Sequence, residues 1–259
     1  MKLKEIIGAI EKVAPLSIQD GFDNSGLQIG FPGQEIKSVL ICLDVTEEVV
    51  AEAERLGCQL ILSHHPLLFH PLKTVSNSTY QQRCTVRAIK AGIAIYSAHT
   101  SLDNARGGVN YKIADVIGMD GLSWLSAKEG SDAGSGVIGN LRDPMTDNEF
   151  LLMLKDRFGV TALRHSGTSG KEIRKVAVCG GAGAFLLPEA IRKEADCFVC
   201  GEFHYHDYFE NSGVLLAELG HYESEQFTQI LLLDIMTDAF PEIQARITKT
   251  CTNPINCLI

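Results

Sequence analysis

Eight histidines occur in 259 residues, and most stand where a strand is expected to end. Leu60-Ile61-Leu62-Ser63-His64-His65-Pro66 runs three apolar residues into two imidazoles and stops at a proline. His99 is followed four residues later by Asp103, and His221 by Glu225. Glu202, His204 and His206 crowd into Gly201-Glu202-Phe203-His204-Tyr205-His206-Asp207. Imidazole suits zinc, iron and other transition ions, and adjacent imidazoles can serve two metals about 3.5–4 Å apart. A histidine and a carboxylate one helical turn apart can present metal ligands. The same spacing is also an ordinary solvent-facing pair contributing a few tenths of a kcal/mol. One such pair favours the ordinary reading. Two pairs at matching places, with His64-His65 at a third strand end, favour metal.

The elements that must position these residues follow from periodicity. Leu60 to Leu62 read as a buried parallel strand. Pro66 holds His65 extended, so both imidazoles fall at the carboxyl edge of the sheet, where open α/β folds place ligands. Upstream, the spacing predicts a helix carrying Leu3, Ile6, Ile7, Ile10 and Val13 on one face, a turn-rich loop over Asp20–Leu27, a strand over Ile36–Leu43 and a helix capped by Thr46. Downstream it predicts a helix over 78–90, a strand over Ile93–Ser97 and a helix over 110–117. Ala127 to Gly136 is rich in glycine and serine and reads as a boundary. Beyond it come strands over 137–141 and 160–164, with a helix to about Arg157 opened by the capping box Thr146-Asp147-Asn148-Glu149 between them.

Part of this order recurs. Ile36-Lys37-Ser38-Val39-Leu40-Ile41-Cys42 is echoed by Ile173-Arg174-Lys175-Val176-Ala177-Val178-Cys179. Each leads through a helix, a short apolar strand, a second helix and a third strand to a histidine with an acid four residues on. His99 is thereby the expected twin of His221. An internal duplication explains this, and the fold class is α/β, with mixed or largely parallel sheets, helices on both faces and matching strand ends expected to converge on one cleft. The expected division is 1–126 with 215–259, and 127–214.

Composition narrows the function. A net charge of −9 argues against sequence-independent nucleic-acid binding. No apolar run reaches the length of a membrane span, and charges interrupt any signal-peptide region at the N-terminus, so the expected location is cytoplasmic. The eight cysteines are expected to be reduced. Cys197-Phe198-Val199-Cys200 has redox spacing but reads as strand. Gly180-Gly181-Ala182-Gly183-Ala184 reads more readily as a tight turn than as an anion cradle, having neither dinucleotide spacing nor a Lys-Ser/Thr pair. His204 and His206 are open between ligation, proton transfer and a polar helix start. His99 is open between ligation and a contact to substrate.

Five motifs together resemble the Nif-three-like family, whose members are also described as GTP cyclohydrolase 1 type 2 homologues. They are Asp23-Asn24-Ser25-Gly26-Leu27-Gln28-Ile29-Gly30, Ser63-His64-His65-Pro66-Leu67-Leu68-Phe69, Tyr96-Ser97-Ala98-His99-Thr100-Ser101-Leu102-Asp103, Gly107-Gly108-Val109-Asn110 and Gly220-His221-Tyr222-Glu223-Ser224-Glu225. Ser101 stands where the family often has asparagine. The resemblance spans nearly the whole chain, and the short 127–136 segment leaves no room for the extra domain some members carry.

The resemblance implies two intertwined α/β domains related by the duplication, with a dinuclear metal site in the cleft between them and His64, His65, Asp103, His221 and Glu225 as ligands to two divalent ions (zinc, iron or manganese). It also implies a toroidal homohexamer. The leading functional expectation is a metal-dependent hydrolase of a nucleotide-like small molecule, with His99 or His204 moving protons. The alternatives are a metal-handling or metallocentre-assembly protein, and an oligomeric interaction scaffold without turnover.

Overall fold

The computed structural model describes residues 1–258. Contacts divide the chain into one unit of Met1–Leu102 with Thr228–Pro254 and a second of Asp103–Phe227 with the residues from Ile255.

The first unit is a five-stranded sheet in the order β1-β4-β3-β2-β11. Its strands are β1 (Gly26–Ile29), β2 (Ser38–Cys42), β3 (Leu60–Ser63), β4 (Ala94–Ser97) and, late in the chain, β11 (Gln244–Ile247). β11, β2, β3 and β4 are parallel, and β1 closes the β4 edge antiparallel. β2, β3 and β4 are buried at every position, as strands covered on both faces must be. Helices α2 (Glu47–Arg55) and α3 (Tyr80–Ala91) pack Val49, Val50, Ala53, Cys84 and Ala88 against Leu40, Ile61 and Ile95. Thr46 and Thr79 cap them, accepting from the amides of Val49 and Gln82, which satisfies amides the helix leaves unpaired. Helices α1 (Leu3–Val13) and α9 (Thr228–Ala239) pack together, and α9 lies against β2 and β11.

The third parallel strand leads into the five-residue helix α4 (His99–Asp103). Within the second unit α5 (Val109–Ile117) follows. The sheet here is six-stranded, β5-β6-β8-β9-β10-β7, built from β5 (Met119–Ala127), β6 (Gly134–Thr146), β7 (Arg164–His165), β8 (Glu172–Cys179), β9 (Cys197–Cys200) and β10 (Leu215–Glu218). β8, β9 and β10 are parallel, while β5, β6 and β7 run antiparallel to their neighbours. Helix α6 (Asp147–Phe158) opens on the predicted capping box. Helix α7 (Leu187–Arg192) covers Ala177, Phe198 and Leu216, and β10 leads into α8 (His221–Glu225).

The duplication is visible in connectivity. Each unit contains, in chain order, an antiparallel edge strand and three parallel strands laid out as β1-β4-β3-β2 and β7-β10-β9-β8. Two expectations shift. The boundary read at 126/127 is a hairpin instead: Ala127 pairs with Gly134 and the Lys128 amide donates to Ala133, so the glycine and serine there serve a turn between β5 and β6. The contact division accordingly falls after Leu102 and after Phe227, not after 126 and 214. The twin of His99 is also displaced by one residue. The His99 amide bonds the His64 carbonyl, whereas in the second unit it is the Gly220 amide that bonds the Gly201 carbonyl. His99 therefore takes the place of Gly220, and it shares the left-handed backbone, φ 31° against 98°.

Candidate metal centre

In the first unit, burial of Leu60, Ile61 and Leu62 fixes β3, and Ser63 pins its end. The Ser63 hydroxyl pairs with that of Ser97 at 2.7 Å and donates to the His65 carbonyl at 2.9 Å. His64 is fully buried. Its ring centroid lies 4.7 Å from that of His65 and 5.6 Å from that of His99.

His65 Nδ1 sits 2.7 Å from Asp44 Oδ1, and Asp44 Oδ2 accepts from Thr252 Oγ1 at 2.8 Å. Burial pushes the Asp44 carboxyl up, but hydrogen bonding and charge from His65, with Thr252 and His64, outweigh it and hold the group below the usual range. An ionised Asp44 only accepts, so the proton is on His65 Nδ1 and the lone pair on Nε2. His99 repeats the device: its Nδ1 lies 2.5 Å from Oδ1 of Asp23, whose side chain is wholly buried. Ser25 Oγ donates to Asp23 Oδ2 at 2.6 Å, and Thr100 donates from its amide and hydroxyl at 3.1 and 2.5 Å. Burial raises the Asp23 carboxyl, and these bonds from His99, Ser25 and Thr100 overcome it and depress it strongly.

In the second unit, His221 begins α8 and Glu225 ends it. His221 Nε2 stands 3.3 Å from Glu225 Oε2, a carboxylate only 5% exposed, and His221 Nδ1 stands 3.1 Å from Glu202 Oε1. The turn after β8 makes room for them. Gly181 has φ 58°, and a Cβ there would meet Glu225 Oε1 at 2.5 Å and His221 Nε2 at 3.2 Å. The Gly181 amide donates to Ser224 Oγ at 3.0 Å, and Ser224 Oγ donates to the His221 carbonyl at 2.8 Å. Asn110, 2% exposed, donates to the Asp103 carbonyl and accepts from the Gly180 amide, both at 3.0 Å. Asp103, half-buried, is thereby tied to the same turn.

A family profile described as Duf34/NIF3 (NGG1p interacting factor 3) matches residues 1–254. This chain belongs to the NIF3 family. It is 38% identical over 229 residues to a Clostridium perfringens protein named GTP cyclohydrolase 1 type 2 homolog, covering 87% of both chains. A Lactococcus lactis protein of the same name is 33% identical over 89% of this chain and 90% of its own. Among solved structures, a Bacillus cereus protein related to NIF3 superposes with TM-score 0.90 at 25% identity, over 100% of this chain and 99% of that one. A Staphylococcus aureus protein superposes with TM-score 0.93, also at 25% identity and with the same coverage.

Other expected site residues in this NIF3 chain stand apart from these contacts. His204 has a side chain 91% exposed, its Nδ1 3.6 Å from Asp207 Oδ2 at the start of a single 3-10 turn over Tyr205–Phe209. His206 packs beside Tyr205 and Phe209 in that turn. Cys197 and Cys200 lie in β9 as read, and side chains three residues apart on a strand point to opposite faces. Burial pushes both thiols up, Cys200 to about 12. Among the described residues no helix is long and apolar enough to cross a membrane.

Sequence reasoning left the clamps Asp23 and Asp44 without a role. Both carried a signal: Asp23 opens one of the five motifs, and Asp44 directly follows a predicted strand.

Proposed function

We propose that this protein is a dinuclear-metal hydrolase of a nucleotide-like small molecule, with His64, His65, Asp103, His221 and Glu225 holding two divalent cations. The observation that carries the reading is the carboxylate clamp on Nδ1 of His65 and of His221. Metal-ligating histidines almost always donate their other ring N–H to such a partner, which fixes the tautomer and raises ligand basicity. The relatives' printed names support a nucleotide-like substrate. The donor set of imidazoles and carboxylates fits zinc, iron or manganese. When bound, such cations supply Lewis acidity to an electrophilic carbon.

The chain's own residues do the rest. Asp23 fixes His99 with its proton on Nδ1, so Nε2 accepts the proton released by attacking water and returns it to the leaving group. His99 takes this role over His204, because its ring touches His64 and His65 while His204 stands in solvent. The same reading has the protein act in the cytoplasm as a homohexamer.

The test is elemental analysis together with an assay of GTP and related nucleotides for ring opening or phosphate release after metal is restored. Wild type should hold about two ions per chain and turn over, while His64→Ala and Glu225→Ala should lose both. Absent turnover, or turnover unchanged in those variants, overturns the proposal. Light scattering after gel filtration checks the hexamer.

A further inference from the structure

The loop over Asp20–Leu27 does more than clamp His99. Residue 22, next to Asp23, is a phenylalanine left 69% exposed. Its ring lies 6.4 Å from that of Phe69, edge to face at 65°. Phe69 in turn stands perpendicular to His99, with ring centroids 5.8 Å apart, and 4.9 Å from the exposed ring of His70. A continuous aromatic surface therefore runs outward from His99. It is built, not incidental: Asn24 Nδ2 donates to the Leu68 carbonyl at 2.8 Å, and the Leu68 amide donates to Gln28 Oε1 at 3.2 Å. Gln28 Nε2 donates back to the Asn24 carbonyl at 2.6 Å. These bonds stitch the loop bearing Phe22 to the loop bearing Phe69, so side-chain-to-backbone hydrogen bonds fix the two loops that carry the rings.

We infer that Phe22 and Phe69 form a stacking shelf for the planar nitrogen heterocycle of the substrate, which sets its reacting edge toward the histidines. The inference rests on the function proposed above and narrows it: the ring, not the sugar or phosphate, is what this face recognises. An aromatic wall offers a π surface on which any base can lie. His70 at its edge adds a group that can donate to or accept from ring heteroatoms, which suits a heterocycle better than a hydrocarbon. A ring stacked on Phe69 lies beside His99, whose Nδ1 is already committed to Asp23, so its Nε2 faces the chemistry.

The experiment is calorimetric titration of the full-length, metal-loaded protein with guanosine, and with ribose 5-phosphate as the probe lacking a ring. Wild type should bind guanosine. Phe69→Ala and Phe22→Ala should weaken it about five- to a hundredfold, the range seen when a base-stacking aromatic is truncated. Phe69→Tyr should retain binding, and ribose 5-phosphate affinity should be the same in all four proteins. Phe22 is exposed enough for its variant to fold, and thermal melting verifies that. The inference is overturned if wild type binds no nucleoside, if the alanine variants bind guanosine as wild type does, or if their effect is a changed oligomeric state on light scattering. Failure of the metal reading registers separately, in the ion content and turnover of His64→Ala, which involve neither ring.

Discussion

The two units share a layout of strands but furnish their strand ends differently. Where β3 runs into His64-His65, β9 runs into Gly201-Glu202. Where β2 runs into Asp44, β8 runs into a glycine pair. The first unit thus carries imidazoles whose Nδ1 atoms meet the carboxylates of Asp44 and Asp23, while the second carries Glu202 and Glu225 beside His221 in a space cleared of side chains. After duplication, one half became rich in nitrogen donors and the other in oxygen donors.

The sharpest way to break this contrast is to fill the cleared space. Gly181→Ala places a methyl 2.5 Å from Glu225 Oε1 on a backbone at φ 58°. It should cost about 1–3 kcal/mol in urea unfolding through backbone strain alone, and it should prevent stoichiometric metal uptake in dialysis with elemental analysis. Unfolding and metal content both matching wild type would refute the packing account.

Next in size is the clamp on the first unit's ligand. Asp44→Asn should leave the fold intact and weaken metal binding about 10–100-fold, the usual effect of losing a carboxylate behind a ligating histidine. Competition with a chelating dye measures it. The counterpart, Glu202→Gln, should be milder, a few-fold at most, because Glu202 is 51% exposed and its bond is 3.1 Å against 2.7 Å for Asp44. Equal losses would mean that burial does not distinguish the two clamps.

Between these falls a difference on the side of β2 and of β8 away from β3 and β9. Beside β2 lies the parallel strand β11; beside β8 lies the antiparallel β6. The C-terminal segment after β11 is fastened by Glu52, which is 6% exposed and accepts from the Thr248 hydroxyl at 2.5 Å, the Lys249 amide at 3.1 Å and the Thr250 hydroxyl at 2.9 Å. Burial pushes the Glu52 carboxyl up, and the bonds from Thr248, Lys249 and Thr250 outweigh it and depress it. A depressed acid stabilises the fold fully above its unfolded pKa, near 4.3 for glutamate, and loses that contribution as pH falls through the folded value. Glu52→Gln should therefore cost about 1–2 kcal/mol at neutral pH, with the gap to wild type closing below about pH 4. A gap constant across pH in denaturant titrations would show that the carboxylate charge plays no part.

The sequence made the parallel core and its histidine-bearing ends legible because long apolar runs stopped by Pro66 or Gly220 leave few alternatives. Other elements gave no such signal. β1 is an edge strand whose residues after Gly26 are only half-buried, so its apolar signal is weak, and of the strand expected over 160–164 only Arg164 lies in a strand, the two-residue β7. β5 carries a register shift between Asp120 and Ser123, with Gly121 at φ 64° inside it, and this breaks the apolar alternation a strand reading needs. The clamps were hidden for another reason: Asp23 lies 76 residues from His99 and Asp44 lies 21 from His65, so only tertiary structure pairs them. The one-residue offset between His99 and His221 likewise depends on ladder hydrogen bonds, which motif spacing does not encode.

The chain passes from the first unit to the second after Leu102 and returns after Phe227, so apart from the residues from Ile255 the second unit is an insertion within the first. During synthesis the inserted sheet is whole when residue 227 emerges, while its host still lacks α9 and the strand that pairs with β2. Domains tend to fold as units in order of emergence, which makes the inserted sheet the first that can be complete. Until β11 arrives, β2 is an open edge of the kind that pairs with other chains. Loss of the segment from α9 onward would thus leave the second unit's sheet finished and expose the first unit to aggregation.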